Sequence, residues 1–149
     1  MSSLQPNYTC RKAELKDVMY FLESINTQID STLDIHKFND QYKKKVKDKT
    51  SILLLLEVDK KSIGFIIAQA YQTLSDPFPS LEIQELFIAP KYRKLKAADF
   101  LFSEFLEKAK NKGYYKLKVN CNINSTLNQN FYISKGFKIQ KKQYYKSIY

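Results

Sequence analysis

The chain has 149 residues, 44% hydrophobic and 14% aromatic. That length and apolar content suit one self-sufficient domain and exclude a disordered polymer. Its net charge of +10 admits a nucleic acid, a membrane surface or an anionic small molecule such as a nucleotide cofactor as partner.

After a short polar lead, Tyr8 to Ala13 reads as a strand. Leu15, Val18, Met19, Leu22, Ile25 and Ile29 then fall on one helical stripe, which Ser31-Thr32 interrupts. A second amphipathic helix carries Phe38, Tyr42 and Val46, with its lysines turned outward. Ser51 to Val58 is a continuous apolar strand of the kind buried on both faces. A turn at Asp59-Lys60-Lys61-Ser62 joins it to a second strand, Ile63 to Tyr71, as a hairpin. Leu74 to Ser80 holds Pro77 and Pro79 and is expected to be a loop. Leu81 to Ile88 is a strand that Ala89-Pro90 ends.

The clearest helix begins near Ala97, with Leu101, Phe102, Phe105, Leu106 and Ala109 on one face. It stops at Lys110-Asn111-Lys112-Gly113. From Tyr115 to Ile123 apolar and polar residues alternate, the pattern of a half-buried strand. A short helix from about Ser125 to Ser134 follows. Phe137 to Tyr149 then reads as one long strand or a tight hairpin. The order β-α-α-β-β-β-α-β-α-β predicts an α/β or α+β single domain over residues 1–149 with a mixed sheet.

The scattered lysines match no RNP, KH, zinc-finger or basic-zipper pattern, so a nucleic-acid partner is not the first expectation. Cys10 and Cys121 form no CxxC pair and read as ordinary reduced thiols. His36 is the only histidine, which excludes a His-rich zinc cluster, and no metal is expected. The longest apolar run, Ile52 to Leu56, is far below a membrane span, and the N-terminus carries no signal-peptide apolar stretch. The expectation is a soluble cytoplasmic protein with no membrane partner.

Two segments carry chemistry. Strand Leu81–Ile88, loop Ala89–Lys96 and the following helix form an arrangement that aims helix N-terminal amides at a phosphate. The loop reads Pro90-Lys91-Tyr92-Arg93-Lys94-Leu95-Lys96-Ala97-Ala98, with four cations; the same string is also what an exposed basic loop looks like. Farther on, Phe131-Tyr132 precedes Gly136-Phe137 on a short helix. A tyrosine there has a phenol able to donate a proton to a leaving thiolate, or an aromatic ring that simply packs in a core.

Together these segments resemble the GNAT N-acetyltransferase superfamily over nearly the whole chain. The family's strand resembles Glu82-Ile83-Gln84-Glu85-Leu86-Phe87-Ile88, and its loop has the pattern Q/R-x-x-G-x-G/A. Arg93 matches the first position and Ala98 the last, but Lys96 stands where the pattern has glycine. The glycine often found directly after the arginine is Lys94. Asn124 and the Phe131-Tyr132-x-x-x-Gly136-Phe137 string match the family's downstream segment. A finer likeness points to aminoalkylphosphonate N-acetyltransferases and their aminoglycoside-modifying relatives.

The resemblance implies a GNAT-like, mostly antiparallel mixed sheet flanked by helices. It also implies acetyl transfer from acetyl-CoA to a primary amine by direct attack in a ternary complex, with no covalent enzyme intermediate. The acceptor would be a small molecule or a protein amine, and the family's range leaves room for a homodimer. Backbone groups of Leu86, Phe87 and Ile88 would pair with the pantetheine arm, where the strands around Ile88 and Val119 splay apart. Amides of Arg93, Lys94, Leu95, Lys96, Ala97 and Ala98 would hold the pyrophosphate, and Asn124, with Ser125 as its alternative, and Phe131 would help seat the cofactor. Tyr132 would be the general acid, and Glu82 or Glu85 the base, with Glu82 the slight favourite. Because side chains alternate along a strand, these two glutamates should face opposite sides unless a bulge intervenes. A side chain at Lys96 implies either ordinary helical angles or strain. The alternative function is a catalytically weak or inactive GNAT scaffold that serves as a basic protein- or nucleic-acid-binding module.

Overall fold

The computed structural model describes residues 5–121 and 126–149. The chain divides into two compact units, Met1–Val119 and Asn120–Tyr149.

In the first unit, five strands form one sheet in chain order: β1 (Tyr8–Lys12), β2 (Ser51–Val58), β3 (Lys61–Thr73), β4 (Asp76–Ile88) and β5 (Lys116–Val119). Neighbours are antiparallel except β4 and β5, which run parallel across the crossover helix α3 (Ala97–Asn111). Two helices, α1 (Val18–Ile29) and α2 (Ile35–Lys47), connect β1 to β2. The β2–β3 hairpin closes through Asp59 and Lys60, both at positive φ, the geometry whose twist matches that of the flanking strands.

Alternation sorts the sheet's residues onto two faces. One carries Leu53, Leu55, Phe65, Ile67 and Phe87, which cluster with Phe21 of α1 and Tyr42 of α2. The Phe21 and Phe65 rings lie 4.3 Å apart, both fully buried. Each such ring removed from water stabilises the fold by about 1.5–3 kcal/mol. The other face, with Ile52, Leu54, Ile66, Leu81 and Ile83, meets α3, whose Leu101, Phe102, Phe105 and Ala109 are buried. Near the first helix, Arg11 grips Asp17 through both oxygens at 2.8 and 2.9 Å and also reaches Glu57 at 3.1 Å. These contacts tie β1, the turn before α1 and β2 together.

Two expectations need correction. Of the loop expected over Leu74 to Ser80 only Leu74 and Ser75 form a turn: β4 begins at Asp76 and runs through both prolines. Pro77 and Pro79 lie where β4 has only β3 beside it, so their missing N–H groups cost no ladder bond. The Pro79 carbonyl accepts from the Tyr115 amide at 2.8 Å. The C-terminal strand or hairpin is also absent, since residues 137–149 are neither strand nor helix. In that stretch Ile139 and Tyr145 are 91% and 92% exposed, so the apolar pattern that suggested a strand buries nothing there.

The second unit contains α4 (Thr126–Ser134). Gly136, at φ +92, closes it, with the Phe137 amide bonding back to the Tyr132 carbonyl at 3.1 Å. Among the described residues no helix is long and apolar enough to cross a membrane.

Candidate active site

The site begins with an irregularity in β4. Along the β3–β4 ladder Glu82 faces Gln69 and Ile83 faces Ala68, but Glu85 faces Ile67. Gln84 is therefore the extra residue of a bulge. Across it the alternation slips by one, so Glu82 and Glu85 share a face with Gln69 and Ile67. The opposite-face expectation for the two glutamates is thus overturned by the exception that it named.

The two carboxylates meet different surroundings. Glu82 pairs with Lys118 of β5, Oε2 to Nζ at 3.0 Å, and the Lys118 ammonium also lies 4.6 Å from the centre of the Tyr71 ring. Glu85 has no ion pair among the described residues and is half-buried. Burial pushes its carboxyl above the usual glutamate range, because a charged carboxylate is poorly solvated there. A short way down the same face, Lys45 of α2 donates to Gln69 Oε1 at 3.1 Å. Desolvation lowers the Lys45 pKa, while Asp48 and Glu82 pull it back up.

Pairing between β4 and β5 ends at Ile83 and Val119, yet β4 continues to Ile88. From Gln84 to Ile88 its outer edge has no strand partner among the described residues. Leu86, Phe87 and Ile88 lie on this segment, Leu86 half-buried and the other two buried. Gly64, opposite Ile88 on β3, keeps the strands close. A Cβ there would sit 2.6 Å from the Phe87 carbonyl oxygen and 2.8 Å from Ile88 Cδ1.

The loop that follows is fixed at several points. A short 3-10 turn spans Pro90–Tyr92, and the Arg93 Nε donates back to the Ile88 carbonyl at 2.8 Å. The Tyr8 hydroxyl donates to the Leu95 carbonyl at 2.7 Å, so β1 anchors the loop from across the sheet. Lys96 is the N-cap residue of α3, at φ 58 and ψ 23. It occupies the left-handed region despite its side chain, a conformation that costs a non-glycine residue about 1–2 kcal/mol. Of the two alternatives raised by a side chain at this position, strain is the outcome. The Lys96 side chain does not cap the α3 N-terminus, whose first residues are the buried Ala97 and half-buried Ala98. The side chains of Arg93, Lys94, Leu95 and Lys96 are exposed beside it.

In the second unit, Tyr132 is buried with its ring 5.3 Å from those of both Phe131 and Phe137. Asn124 lies outside the described residues. Neither cysteine is primed for nucleophilic chemistry. Burial, with a smaller push from Glu104, raises the Cys10 thiol to about 12, and burial raises Cys121 as well. Among the described residues no three His, Cys, Asp or Glu side chains gather into a group able to hold a metal.

Sequence reasoning allowed for a bulge without placing it at Gln84, and it missed the Tyr8 anchor and the Lys118–Tyr71 contact. Only the last left a trace, in the polar positions of the alternating Lys116–Val119 stretch. The bulge and the anchor depend on contacts between distant segments.

A mixed sheet whose β4 edge runs on beyond its parallel partner among the described residues leads by a tight loop into helix α3, an α/β architecture. Residues 22–147 match the family described as Acetyltransferase (GNAT) domain, and the chain belongs to that family. No curated protein sequence matches the chain. Among solved structures, a transcriptional regulator from Bacillus halodurans C-125 superposes with a TM-score of 0.83 at 16% identity, covering 95% of this chain and 100% of that one. AAC(6')-Iy, solved with the bisubstrate analogue CoA-S-monomethyl-acetylneamine, gives 0.82 at 16% identity, covering 95% and 98%. A ribosomal-protein-alanine N-acetyltransferase from Brucella melitensis biovar Abortus 2308 gives 0.79 at 15%, covering 95% and 99%. At these identities the likeness speaks for the fold.

Proposed function

We propose that the protein transfers an acetyl group from acetyl-CoA to a primary amine by direct attack in a ternary complex. The observation that carries this reading is Lys96. Lys96 stands where the family pattern has glycine, and its backbone is left-handed. Such strain persists where the surrounding structure imposes it, and it clusters at ligand-binding turns.

The chain's own groups fit the substrate. Amides from Arg93 to Ala98, at the N-terminus of α3, suit a pyrophosphate, and Lys94 and Lys96 add point charges beside them. The open β4 edge from Gln84 to Ile88 offers backbone groups to an amide-bearing arm such as pantetheine. A backbone amide of Phe87 or Ile88 would polarise the thioester carbonyl. Phe131 and Asn124 keep the seating roles that the family pattern assigns them. Tyr132 would return a proton to the departing thiolate.

For the base, the structure supports Glu85 over Glu82. Its raised pKa brings it closer to working pH, and no cation among the described residues pairs with it. The acceptor is an amine of a small molecule or a protein.

Calorimetric titration with acetyl-CoA at low and high salt tests the loop. Exposed lysine–phosphate attraction is screened over about 10 Å at 0.1 M salt, so binding should weaken as salt rises and Lys96→Ala should flatten that trend. Tyr132→Phe should lower kcat about 10²–10⁴-fold while leaving acetyl-CoA affinity intact. A wild-type kcat in that variant returns Tyr132 to a packing role.

A second reading, a basic scaffold that binds an acidic protein or nucleic acid, draws support from residues 137–149. That stretch holds Lys138, Lys141, Lys142 and Lys146, no acidic residue, and exposed tyrosines at 144 and 145. Failure to bind millimolar acetyl-CoA, together with salt-sensitive binding of an oligonucleotide, would favour it.

A further inference from the structure

The Glu82–Lys118 contact has the geometry of an acceptor amine on its base. The Lys118 Nζ is a primary ammonium, 3.0 Å from a carboxylate on the same β4 face as Glu85. It is further held over the Tyr71 ring at 4.6 Å, as a bound cation would be. Its side chain is 44% exposed, so the amine has room to carry an added acyl group. Lys118 is also the last residue but one of the β4–β5 ladder, which ends at Ile83 and Val119 just before the β4 edge opens. Lysine's four-carbon stem lets the ammonium swing by several ångströms at little cost.

We infer that Lys118 is itself an acetyl acceptor, modified in cis when acetyl-CoA is bound. This rests on the acetyltransfer reading above. Glu82 takes one proton from the Lys118 ammonium, and the freed lone pair attacks the thioester carbonyl carbon. The C–N bond forms as the C–S bond breaks. The CoA thiolate leaves and takes the proton held by Glu82, which becomes a carboxylate again, and the second excess proton of the nitrogen passes to solvent. The product, an amide at Lys118, is neutral. It no longer pairs with Glu82, so the carboxylate and the Tyr71 ring become available to an external ammonium.

Lys45 is the internal competitor. It lies on the same face and feels the charges of Asp48 and Glu82, but its Nζ hydrogen-bonds to the Gln69 amide oxygen and forms no ion pair among the described residues. An amide cannot accept the proton that the attack must release.

The test uses the purified protein and acetyl-CoA alone, with no acceptor amine, followed by intact-mass and peptide mass spectrometry. The expected result is a single acetyl group at Lys118, added at a rate per molecule that does not change with protein concentration. Glu82→Gln should slow it at least about tenfold, and Lys118→Arg should leave the protein unmodified. A melting curve on each variant separates misfolding from loss of chemistry. Should Glu82→Gln fail to fold, the concentration independence in the native protein and the Lys118→Arg result still decide. Acetyl groups spread over surface lysines at the same rate in native and Glu82→Gln protein would overturn the inference, as would selective acetylation of Lys45. Calorimetry on the same sample separates the two claims. Acetyl-CoA binding without a mark on Lys118 sinks self-acetylation only, whereas no binding sinks the acetyltransfer reading as well.

Discussion

Between Ser80 and Ile83, strand β4 has a neighbour on each side; between Gln84 and Ile88 it has, among the described residues, one on a single side. The paired half carries Glu82, neutralised by a lysine from the adjoining strand. The open half carries Glu85, half-buried and without a countercharge among the described residues. Two glutamates three positions apart on one strand thus differ because β5 is four residues long and stops beside Ile83. A partner strand brings its own side chains as well as hydrogen bonds, and those side chains compete for the groups that chemistry would use. Where the partner ends, neither the carboxylate nor the backbone edge has a strand-borne partner among the described residues.

The comparison breaks most sharply at the glutamates themselves. Glu85→Gln should lower kcat by about 10²–10⁴-fold toward any amine that the protein acetylates. Glu82→Gln should have a much smaller effect on that external reaction. Steady-state kinetics of both variants decide the matter, and equal losses would erase the distinction between the two halves.

Next in size is Gly64, which holds β3 against the open half. Gly64→Ala forces a Cβ to within 2.6 Å of the Phe87 carbonyl oxygen, a backbone atom that cannot rotate away. The fold should lose about 1–3 kcal/mol by denaturant titration. Acetyl-CoA affinity should drop with it, because the displaced segment is the edge that would seat the pantetheine arm. Unchanged affinity would move the arm off this edge.

The pH dependence follows from the direction of the Glu85 shift. Its folded pKa is raised by burial, so the folded state holds its proton to higher pH than the unfolded chain, whose value is about 4.3. Stability should therefore decline slightly as pH rises from the unfolded value through the folded one, and the burial cost of the charge is complete above it. The acid limb of kcat/KM should sit above the ordinary glutamate range and vanish in Glu85→Gln. An acid limb that persists in that variant would assign it to another group.

The smallest effect belongs to Lys96, beyond the far end of the open half. Lys96→Gly removes the left-handed penalty but adds freedom to the unfolded chain, for a net gain of up to about 1 kcal/mol. Lys96→Val, β-branched, should instead destabilise. A thermal melt of the three proteins orders them, and a valine variant as stable as the native chain would mean that the loop does not hold residue 96 left-handed in solution.

Much of this molecule was legible in the sequence. The continuous apolar run Ser51–Val58 matches β2 from end to end, and the stripe Leu101, Phe102, Phe105 and Ala109 is the buried side of α3. The 3.6- and 2-residue periods are local, and they report which side chains an element hides whatever it hides them against. The loop between β4 and α3 was also readable, because strand, proline and helix start are local signals as well.

Register and pairing were decided only in three dimensions. Strands were expected at 51–58 and at 137–149 and only the first formed, because a strand exists only through the ladder that a second segment supplies. Pro77 and Pro79 read as loop formers, yet they lie in β4 because one edge there has no neighbour to satisfy. The bulge at Gln84, which turns Glu82 and Glu85 to one side, is an agreement between β3 and β4 about spacing. Its energy resides in contacts between residues far apart in the chain, and no window of the sequence contains both partners.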